Sequence, residues 1–303
     1  MTWLAGLLTF EQCQAVFARI GKRHLPASSI WRQAAQHGER LRGQVERDRQ
    51  QVAPERISLP DAPHDHRQRK GVSMDGGMVH VRGEGWKEMK VGAVYDVATQ
   101  PERDPITTDV MDMPHAVNLT YTAVLGEVPA FAQALWQLAV QQQVPTAYEA
   151  SVTADGAAWI WNVAADLFPD SVQIVDWYHA RQHLSAAAQA LYPNHPDQAT
   201  AWLKQHTDAL FQGQLHSITA PLDHAGLADH SRYFHTHQRR MQYQEFREDG
   251  YPIGSGTVES AVKQYKARLT AAGMRWSRVG AERMLILRGA VLDGSFDALW
   301  RVA

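Results

Sequence analysis

The sequence predicts an α/β protein built on a mixed β-sheet with flanking helices. Three alternating, strand-like segments follow one another from Gly71 onwards, and two strand–helix units come directly after them. Strands in a run followed by strand–helix units favour a sheet with an antiparallel and a parallel part. A polar, histidine-rich helical stretch at 185–250 then separates these units from a last long helix, and we interpret it as an all-helical insertion.

Length and composition fit a globular protein. The chain has 303 residues, of which 45% are hydrophobic, and this is enough for a packed core. The formal net charge is −2, so nucleic-acid binding would have to depend on local charge. Cys13 is the single cysteine, which excludes an internal disulfide and a cysteine-based zinc cluster. No segment has the length of a transmembrane helix, and we expect a cytoplasmic protein with no membrane partner.

The N-terminal residues 1–50 predict a helical region. Apolar side chains recur at helical spacing in 9–20, and a second helix fits 27–49. Two helices joined by a short turn resemble a helix-turn-helix, and 18–50 carries eight lysines and arginines against three acids. Either this segment contacts DNA, or it is an amphipathic hairpin with solvated arginines. The proline-containing segment 51–70 is a predicted linker.

The antiparallel part of the sheet is predicted from alternation. Segments 71–82 and 86–97 alternate like strands and are joined by the tight Gly83-Glu84-Gly85, which is a hairpin signal. A third strand fits 116–125, and a helix fits 128–143.

The parallel part is predicted from two strands that each end on an aspartate. A strand at 148–154 stops at Asp155 and a helix follows, and a strand at 172–175 stops at Asp176 and leads into another helix. Three antiparallel strands followed by strand–helix units is the order of the ribonuclease-H-like fold. The domain would then comprise 71–184 and 251–303.

Three carboxylates occupy positions that such a fold brings together. Asp75 lies in the first strand, Asp155 at the end of the fourth, and Glu259 on the helix after the insertion. Buried like charges repel, so a cluster of this kind favours hard divalent cations with oxygen ligands. Two Mg²⁺ ions there can activate a water or a 3′-hydroxyl and stabilise the leaving oxygen of a phosphodiester.

Each of these carboxylates also has an ordinary explanation. Asp75 can be a turn residue beside Gly76-Gly77, and Asp155 can be a helix N-cap. Glu259 can be an early helical glutamate that the helix dipole favours.

Three segments of the chain carry a resemblance to a known family. They are MDGGMVHVRGEGWKEMKVGAVYDV around Asp75, ADGAAWIWNVAADLFPDSVQIVDWYHARQHL around Asp155, and YPIGSGTVESAVKQYKARLTAAGMRWSRVGAERMLILR around Glu259. Together they resemble the DDE transposases of bacterial insertion sequences, in particular the ISKra-type group, which is related to the Mutator-like transposases. The resemblance implies a ribonuclease-H-like DNA transposase that cleaves and joins DNA strands. Asp75, Asp155 and Glu259 would be its catalytic triad and the ligands of two Mg²⁺ or Mn²⁺ ions.

The resemblance also assigns a supporting motif. Asp176 and His179 would form the D-x-x-H motif that follows the second aspartate in this wider group. We expect these two side chains to brace the catalytic end of the sheet without binding metal. The alternative is a capping aspartate beside a partly buried, hydrogen-bonded histidine.

A basic segment follows Glu259. From Tyr251 to Ala290 seven lysines and arginines stand against two acids, a balance that suits a phosphate backbone. Lys266 shares a helix face with Glu259, and some related enzymes place a lysine seven residues after the catalytic glutamate. We expect DNA contacts from four residues: Lys263, Lys266, Arg268 and Arg275.

The partners expected from the resemblance are the ends of the insertion sequence, target DNA and a second subunit. A homodimer or higher oligomer on DNA is expected because both element ends must be joined, and the protein would be nucleoid-associated when it is bound to DNA. In the insertion, five residues can contact DNA or a second subunit, although core packing also explains the aromatic ones: Tyr233, Phe234, Arg239, Arg240 and Tyr243.

Two other functions stay open. Members of the family usually carry a longer N-terminal region for binding the element ends, so one alternative is a truncated or inactive derivative that acts as a DNA-binding protein. The other is a glycosidase that uses paired carboxylates and needs no metal.

Overall fold

A five-stranded mixed β-sheet with flanking helices organises the chain. The computed structural model describes residues 1–51, 68–103 and 108–298. The order of strands across the sheet is β3-β2-β1-β4-β5. The strands are β1 (Arg69–Val81), β2 (Gly85–Arg103), β3 (Val110–Leu125), β4 (Glu149–Ala154) and β5 (Val172–Val175).

The pairing confirms the predicted division into an antiparallel and a parallel part. Strand β2 runs antiparallel to both β1 and β3, whereas β4 runs parallel to β1 and to β5. Met74 pairs with Ala154, so Asp75 and Asp155 each come directly after a matched pair of residues on neighbouring strands. The register therefore places these two aspartates at the same level of the sheet.

Twelve α-helices lie in the described residues, and several begin at side-chain caps. Thr9 and Gln12 form a capping box at the start of α2, and Ser277 caps α12. The helices are α1 (Thr2–Leu7), α2 (Phe10–Arg19), α3 (Ala27–Gln51), α4 (Val128–Gln141), α5 (Ala158–Leu167), α6 (Trp177–Leu191), α7 (Pro196–Phe211), α8 (His216–His224), α9 (Ala228–His237), α10 (Tyr243–Glu248), α11 (Gly256–Leu269) and α12 (Arg278–Leu292).

Two apolar cores cover the sheet. The first joins Val72 and Met74 of β1 to α4, α5, α6 and the helices of the insertion. The second joins Val79 and Val81 to α11 and α12. Alternate residues of a strand point to opposite faces. Asp75 therefore faces the α11 side of the sheet, together with Val79 and Val81.

The N-terminal helices share the second core with α11 and α12. Ile30 and Ala34 of α3 are buried there, and Gly38 lies against Arg283 of α12. Arg42 of the basic segment forms ion pairs with Glu39 and Glu282. Residues 2–51 thus contain three helices, while their contact with DNA stays a prediction.

Element bounds differ from the predicted ones at several places. The β2–β3 hairpin is longer than expected, and α6 continues to Leu191, beyond the predicted start of the insertion. The insertion itself consists of helices as predicted, from α7 to α10. Most of the predicted linker, 52–67, lies outside the described residues. No helix in the described part of the chain combines the length and apolar character needed to cross a bilayer.

Candidate carboxylate site

Asp75 projects from the middle of β1. It pairs with Val91 of β2, and the backbone N–H of Gly76 donates a hydrogen bond to its Oδ1 at 2.6 Å. Gly76 and Gly77 are also paired residues of the same strand. The explanation of Asp75 as a turn residue is therefore wrong, because the backbone at this position is extended and hydrogen-bonded to a neighbour.

Asp155 follows the last residue of β4. Its Oδ1 accepts a hydrogen bond of 2.9 Å from the backbone N–H of Ala157. Ala157 is itself the N-cap of α5, and that helix has no side-chain cap. The explanation of Asp155 as a helix N-cap is wrong. The residue instead organises the turn that precedes the helix.

Glu259 lies in the first turn of α11, where the helix dipole favours a negative charge. Its Oε1 accepts a hydrogen bond from Ser255 Oγ at 3.3 Å and lies 3.7 Å from His179 Nδ1. Its Oε2 lies 3.6 Å from the ammonium of Lys263, which is largely exposed.

The electrostatics of Asp75 connect the three carboxylates. Burial is the main cause that raises the pKa of Asp75, and the charges of Asp155 and Glu259 raise this pKa further. The N–H of Gly76 and the charge of His179 act in the opposite direction. Asp75 therefore lies close enough to Asp155 and Glu259 for their charges to act on it. A bound cation would relieve that repulsion.

Asp176 fixes the loop that leads into α11. Its side chain is fully buried and caps α6. Oδ1 accepts from the backbone N–H of His179 at 2.7 Å, and Oδ2 accepts from the backbone N–H and the hydroxyl of Ser255 at 2.5 and 3.0 Å. Burial alone would raise the pKa of Asp176, but the hydrogen bonds from His179 and Ser255 outweigh it and lower that pKa.

The same loop is also attached to the ends of the two parallel strands. The hydroxyl of Thr153 donates to the carbonyl of Pro252 at 3.1 Å, and the N–H of Trp177 donates to the carbonyl of Ile253 at 2.9 Å. Glu259 follows this loop by a single helical turn. The position of its carboxylate is therefore set by the ends of β4 and β5.

His179 lies between carboxylates. The hydrogen bond to Asp176 is the main cause that raises the pKa of His179; burial opposes it, and the charges of Asp176, Glu259 and Asp155 add to it. Ligand atoms of Asp176, His179 and Glu259 all lie within 4.8 Å of one another, so this group is close enough to hold a metal ion. Both oxygens of Asp176 already accept hydrogen bonds. The bracing role of Asp176 and His179 stays a prediction, and the geometry adds the alternative that they bind metal.

The insertion supplies one wall of the site. Tyr233 lies directly over Gly156, where an added Cβ would come within 2.5 Å of its ring, and it stacks on His183 with 3.6 Å between ring centroids. Burial first, and then the charges of Asp155 and Asp176, raise the pKa of Tyr233. Burial lowers the pKa of His237, next to Tyr233, to about 4. Sequence analysis missed His183 and His237, although His183 follows His179 by four residues on one helix face.

The basic residues predicted to bind DNA divide into two groups. Lys263, Lys266 and Arg275 are exposed, and the side chain of Lys266 lies next to Gly77 of β1. Arg268 is only 2% exposed, and its Nε donates to the carbonyl of Ala5 at 2.7 Å. The prediction that Arg268 contacts a DNA backbone is therefore wrong, because α1 and the second core cover it.

The aromatic and basic residues of the insertion also differ in their burial and contacts. Phe234 and Tyr243 are fully buried, so core packing explains them. Arg240 donates to the side chain of Gln173 at 2.8 Å and lies over the ring of Trp161. Arg239 is exposed.

Comparisons of the sequence with models of known protein families and with curated proteins found no match. The function is therefore inferred from this chain alone. The structure brings Glu259 together with Asp176 and His179, it places Asp75 and Asp155 at the same level of neighbouring strands, and it removes Arg268 from the surface.

Proposed function

We propose that this protein is a DDE-type DNA transposase that catalyses metal-dependent cleavage and transfer of DNA strands. One observation supports this function: Met74 of β1 pairs with Ala154 of β4, so Asp75 and Asp155, which are far apart in the sequence, lie at the same level of the sheet. The charges of Asp155 and Glu259 also help to raise the pKa of Asp75. Clustered carboxylates with a free side toward solvent are typical of sites that bind divalent cations.

The topology supports the same function. The sheet order, with three antiparallel strands followed by two parallel ones, is the order expected for a ribonuclease-H-like domain. In that fold the first aspartate lies on the first strand and the second follows the fourth. Asp75 and Asp155 occupy those positions, and Glu259 comes from a helix after the insertion.

The donor set fits Mg²⁺ or Mn²⁺, because these ions prefer carboxylate oxygens. Asp75, Asp155 and Glu259 are the residues that would hold two such ions. When bound, the ions activate a water or a 3′-hydroxyl and stabilise the leaving oxygen of the phosphodiester.

The neighbouring residues hold and orient this set. Asp176 and Ser255 fix the loop before α11 and so position Glu259. Lys266 extends from the same face of α11 toward β1, where its ammonium can contact the phosphate next to the scissile bond. Tyr233 lies over Gly156, the residue after Asp155, and covers that side of the turn.

The proposed partner is DNA, both as element ends and as target. We further propose a homodimer or higher oligomer on DNA, because two ends must be joined in one complex, and a location at the bacterial nucleoid. Light scattering on complexes with paired-end DNA measures this stoichiometry, and monomers alone would contradict the dimer.

Nicking of supercoiled plasmid is the experiment that tests the function. The wild-type protein should nick the plasmid in Mg²⁺ or Mn²⁺ and should lose this activity in EDTA. A carboxylate-pair glycosidase would instead hydrolyse aryl glycosides in EDTA. A DNA-binding derivative would shift the plasmid in a gel without cutting it, and either of these results would contradict a transposase.

A further inference from the structure

A cavity of about 560 Å³ lies along the outer edge of β3, and we call it the edge cavity. Strand β3 stands at one end of the order across the described sheet, so no strand of that sheet pairs with this edge. Every residue of 120–126 lines the cavity, whereas Asp75, Asp155 and Glu259 do not. The edge cavity is therefore separate from the carboxylates, and its volume is in the range of ligand-binding sites.

Residues from both faces of the sheet line the edge cavity. Successive residues of a strand point to opposite faces. Val124 packs against the first core and Ala123 against the second, yet both line the cavity. Helix α4 lines it from one face and α12 from the other. The cavity therefore lies beyond the edge of β3 and not on either face.

Helix α3 closes the edge cavity on the side opposite β3. The side-chain amide of Gln137 in α4 donates to the carbonyl of Val45 at 3.5 Å, and a guanidinium nitrogen of Arg42 lies 3.6 Å from the carboxylate of Glu282 in α12. Helix α3 is thus attached to one helix on each side of β3. The edge cavity is the slot that remains between α3 and the strand.

The main chain of β3 points hydrogen-bonding groups into this slot. Burial raises the pKa of Asp293, and the backbone N–H of Tyr121 is among the hydrogen bonds that oppose it. Arg278 Nη1 donates to the carbonyl of Leu125 at 3.0 Å. In an edge strand, alternate residues present their N–H and C=O groups outward. Tyr121 and Leu125 are two such residues, and Ala123 between them is the third.

Ala123 is the residue whose outward groups stay available. In the part of the chain that the structure describes, its N–H and C=O have no hydrogen-bond partner on this edge. Ala123 is only half-buried, and it lines the edge cavity. Polar main-chain groups in such a place require a partner, which is either water or a ligand.

The spacing of the outward groups favours an extended peptide as the occupant. The carbonyl of Tyr121, both groups of Ala123 and the N–H of Leu125 follow one another at every second residue, which is about 6.8 Å along a strand. The main chain of another strand has the same repeat, and strand addition at a free sheet edge is a common way to bind peptides. A compact small molecule would meet one of these positions and leave the others.

The lining of the edge cavity favours a basic occupant. Two arginines line it, Arg42 and Arg49, and they are paired with Glu282 and Glu46. Two further acids line it without an arginine partner among the described residues: Asp48 and Asp293. Apolar side chains of α3, α4 and α12 complete the walls. A peptide with apolar side chains and a positive charge is complementary to this lining.

We propose that the edge cavity binds an extended, basic peptide segment of a partner protein, which adds a strand beside β3. The hydrogen bonds come from the main chain of β3 at Tyr121, Ala123 and Leu125, and the acidic lining attracts the basic side chain. This site does not depend on the metal chemistry of the carboxylates. Its occupant would connect α3 to the sheet.

Nuclear magnetic resonance of the ¹⁵N-labelled full chain tests this site, with a blocked pentapeptide of sequence Val-Thr-Val-Lys-Val as the probe. The amide signals of Ala123 and Leu125 should shift and saturate as the probe is added to millimolar concentration. N-methylation of the central valine of the probe should weaken binding about tenfold, because it removes a main-chain donor. Glutamate in place of the lysine should weaken binding several-fold, because the lining is acidic.

Two variants test the cavity from the side of the protein. Ala123→Pro removes the outward N–H and keeps the ladder with β2, since proline is tolerated where an edge N–H points away from the sheet. Ala130→Phe places a ring in the cavity from α4. Each should weaken probe binding about tenfold or more. Ala158→Phe makes the same change at an exposed position of α5, and this control should bind like the wild type.

Three results would overturn the peptide site. The first is the absence of saturable shifts at Ala123 in the wild type, because main-chain pairing does not require one particular probe sequence. The second is equal affinity for the N-methylated probe, and the third is wild-type affinity in Ala130→Phe. Probe binding is measured in EDTA and plasmid nicking in Mg²⁺, so failure of this site and failure of the transposase function are distinguishable.

Discussion

At the scale of single residues, Asp75 has the most specific electrostatic environment. Its folded-state pKa is raised, first by burial and then by Asp155 and Glu259. A carboxylate with a raised folded-state pKa contributes stability below its unfolded pKa of about 3.9 and loses that contribution as the pH rises through the folded value. Without metal, this carboxylate therefore destabilises the protein at neutral pH.

We predict that Asp75→Asn in EDTA unfolds at a higher denaturant concentration than the wild type at pH 7, and that this difference disappears near pH 4. Mg²⁺ at a hundred times its Kd should stabilise the wild type by about 2.7 kcal/mol and the variant by much less. Urea denaturation at both pH values, with and without Mg²⁺, measures this. Equal stabilisation of both proteins by Mg²⁺ would remove Asp75 from the metal ligands.

Lys266 is the second residue with a specific expectation. It is exposed, and its side chain lies beside Gly77 on the face of β1 that carries Asp75. As a phosphate contact, its replacement in Lys266→Ala should weaken DNA binding and lower the magnitude of the salt slope by about one unit. Lys204→Ala, an exposed lysine of α7, is the control and should keep the wild-type slope. Identical slopes for Lys266→Ala and the wild type would make Lys266 an ordinary solvated side chain.

Single residues also show which positions can be predicted from the sequence and which cannot. Asp75, Asp155 and Glu259 could be selected because Asp75 lies within a predicted strand, Asp155 follows one and Glu259 stands early in a helix, and those positions follow from local patterns. Arg268 was assigned to the surface from charge counting. Its covering group, the carbonyl of Ala5, is 263 positions away in the sequence, and no local pattern reveals a contact of that kind.

At the scale of elements, the junction between β5 and α6 controls the start of α11. Asp176 accepts hydrogen bonds from both His179 and Ser255, and it is fully buried. Asp176→Asn keeps the shape, but the amide nitrogen cannot accept. We predict a loss of about 2 kcal/mol in the free energy of unfolding, because buried N–H groups are left unsatisfied. Plasmid nicking should also fall, since Glu259 loses its fixed position.

Denaturation and nicking of Asp176→Asn are compared with Asp170→Asn, which changes an exposed aspartate before β5 and should resemble the wild type.

His179→Ala distinguishes bracing from metal binding. Bracing predicts lower thermal stability with retained Mg²⁺ affinity. A His179→Ala variant that keeps its thermal stability but loses Mg²⁺ affinity would contradict bracing and assign His179 to the metal.

The bounds of elements were predictable where burial sets the pattern. Strand β5 begins and ends at the predicted residues, and β4 differs by one residue. Strands β2 and β3 extend beyond the prediction to Arg103 and from Val110. Their outer parts are mostly exposed, so the hydrophobic alternation that reveals a strand is missing there. Cross-strand contacts take its place, such as that of His115 Nε2 with Glu102 Oε2 at 2.9 Å.

At the scale of the whole molecule, the two ends of the described chain pack together. Arg288 of α12 donates to the carbonyl of Gly6 at 3.1 Å, and α3 packs along α12. The sequence indicated helices at both ends, but it could not indicate that they share a core. Helix α12 shares the second core with α11, which carries Glu259. Any DNA contact made by α3 is therefore coupled mechanically to α11 through α12.

The insertion likewise has a role that only the folded chain reveals. It was predicted as helical from composition, yet its contact with Gly156 through Tyr233 depends on how α9 docks against the turn after β4. Together with α11, it encloses the carboxylates between segments that are distant in sequence. The candidate site is thus a property of the assembled fold.

Metal-dependent nicking by the three carboxylate variants tests the central claim most directly. Asp75→Asn, Asp155→Asn and Glu259→Gln should each lose plasmid nicking in Mg²⁺ and Mn²⁺ while they keep the wild-type fold and nearly the wild-type DNA affinity. Asp166→Asn, an exposed aspartate of α5, is the control and should nick like the wild type. Loss of nicking in all three variants, with intact far-UV circular dichroism and DNA binding, is the result that the account predicts. Near wild-type nicking by any one of the three would contradict a site built on these carboxylates.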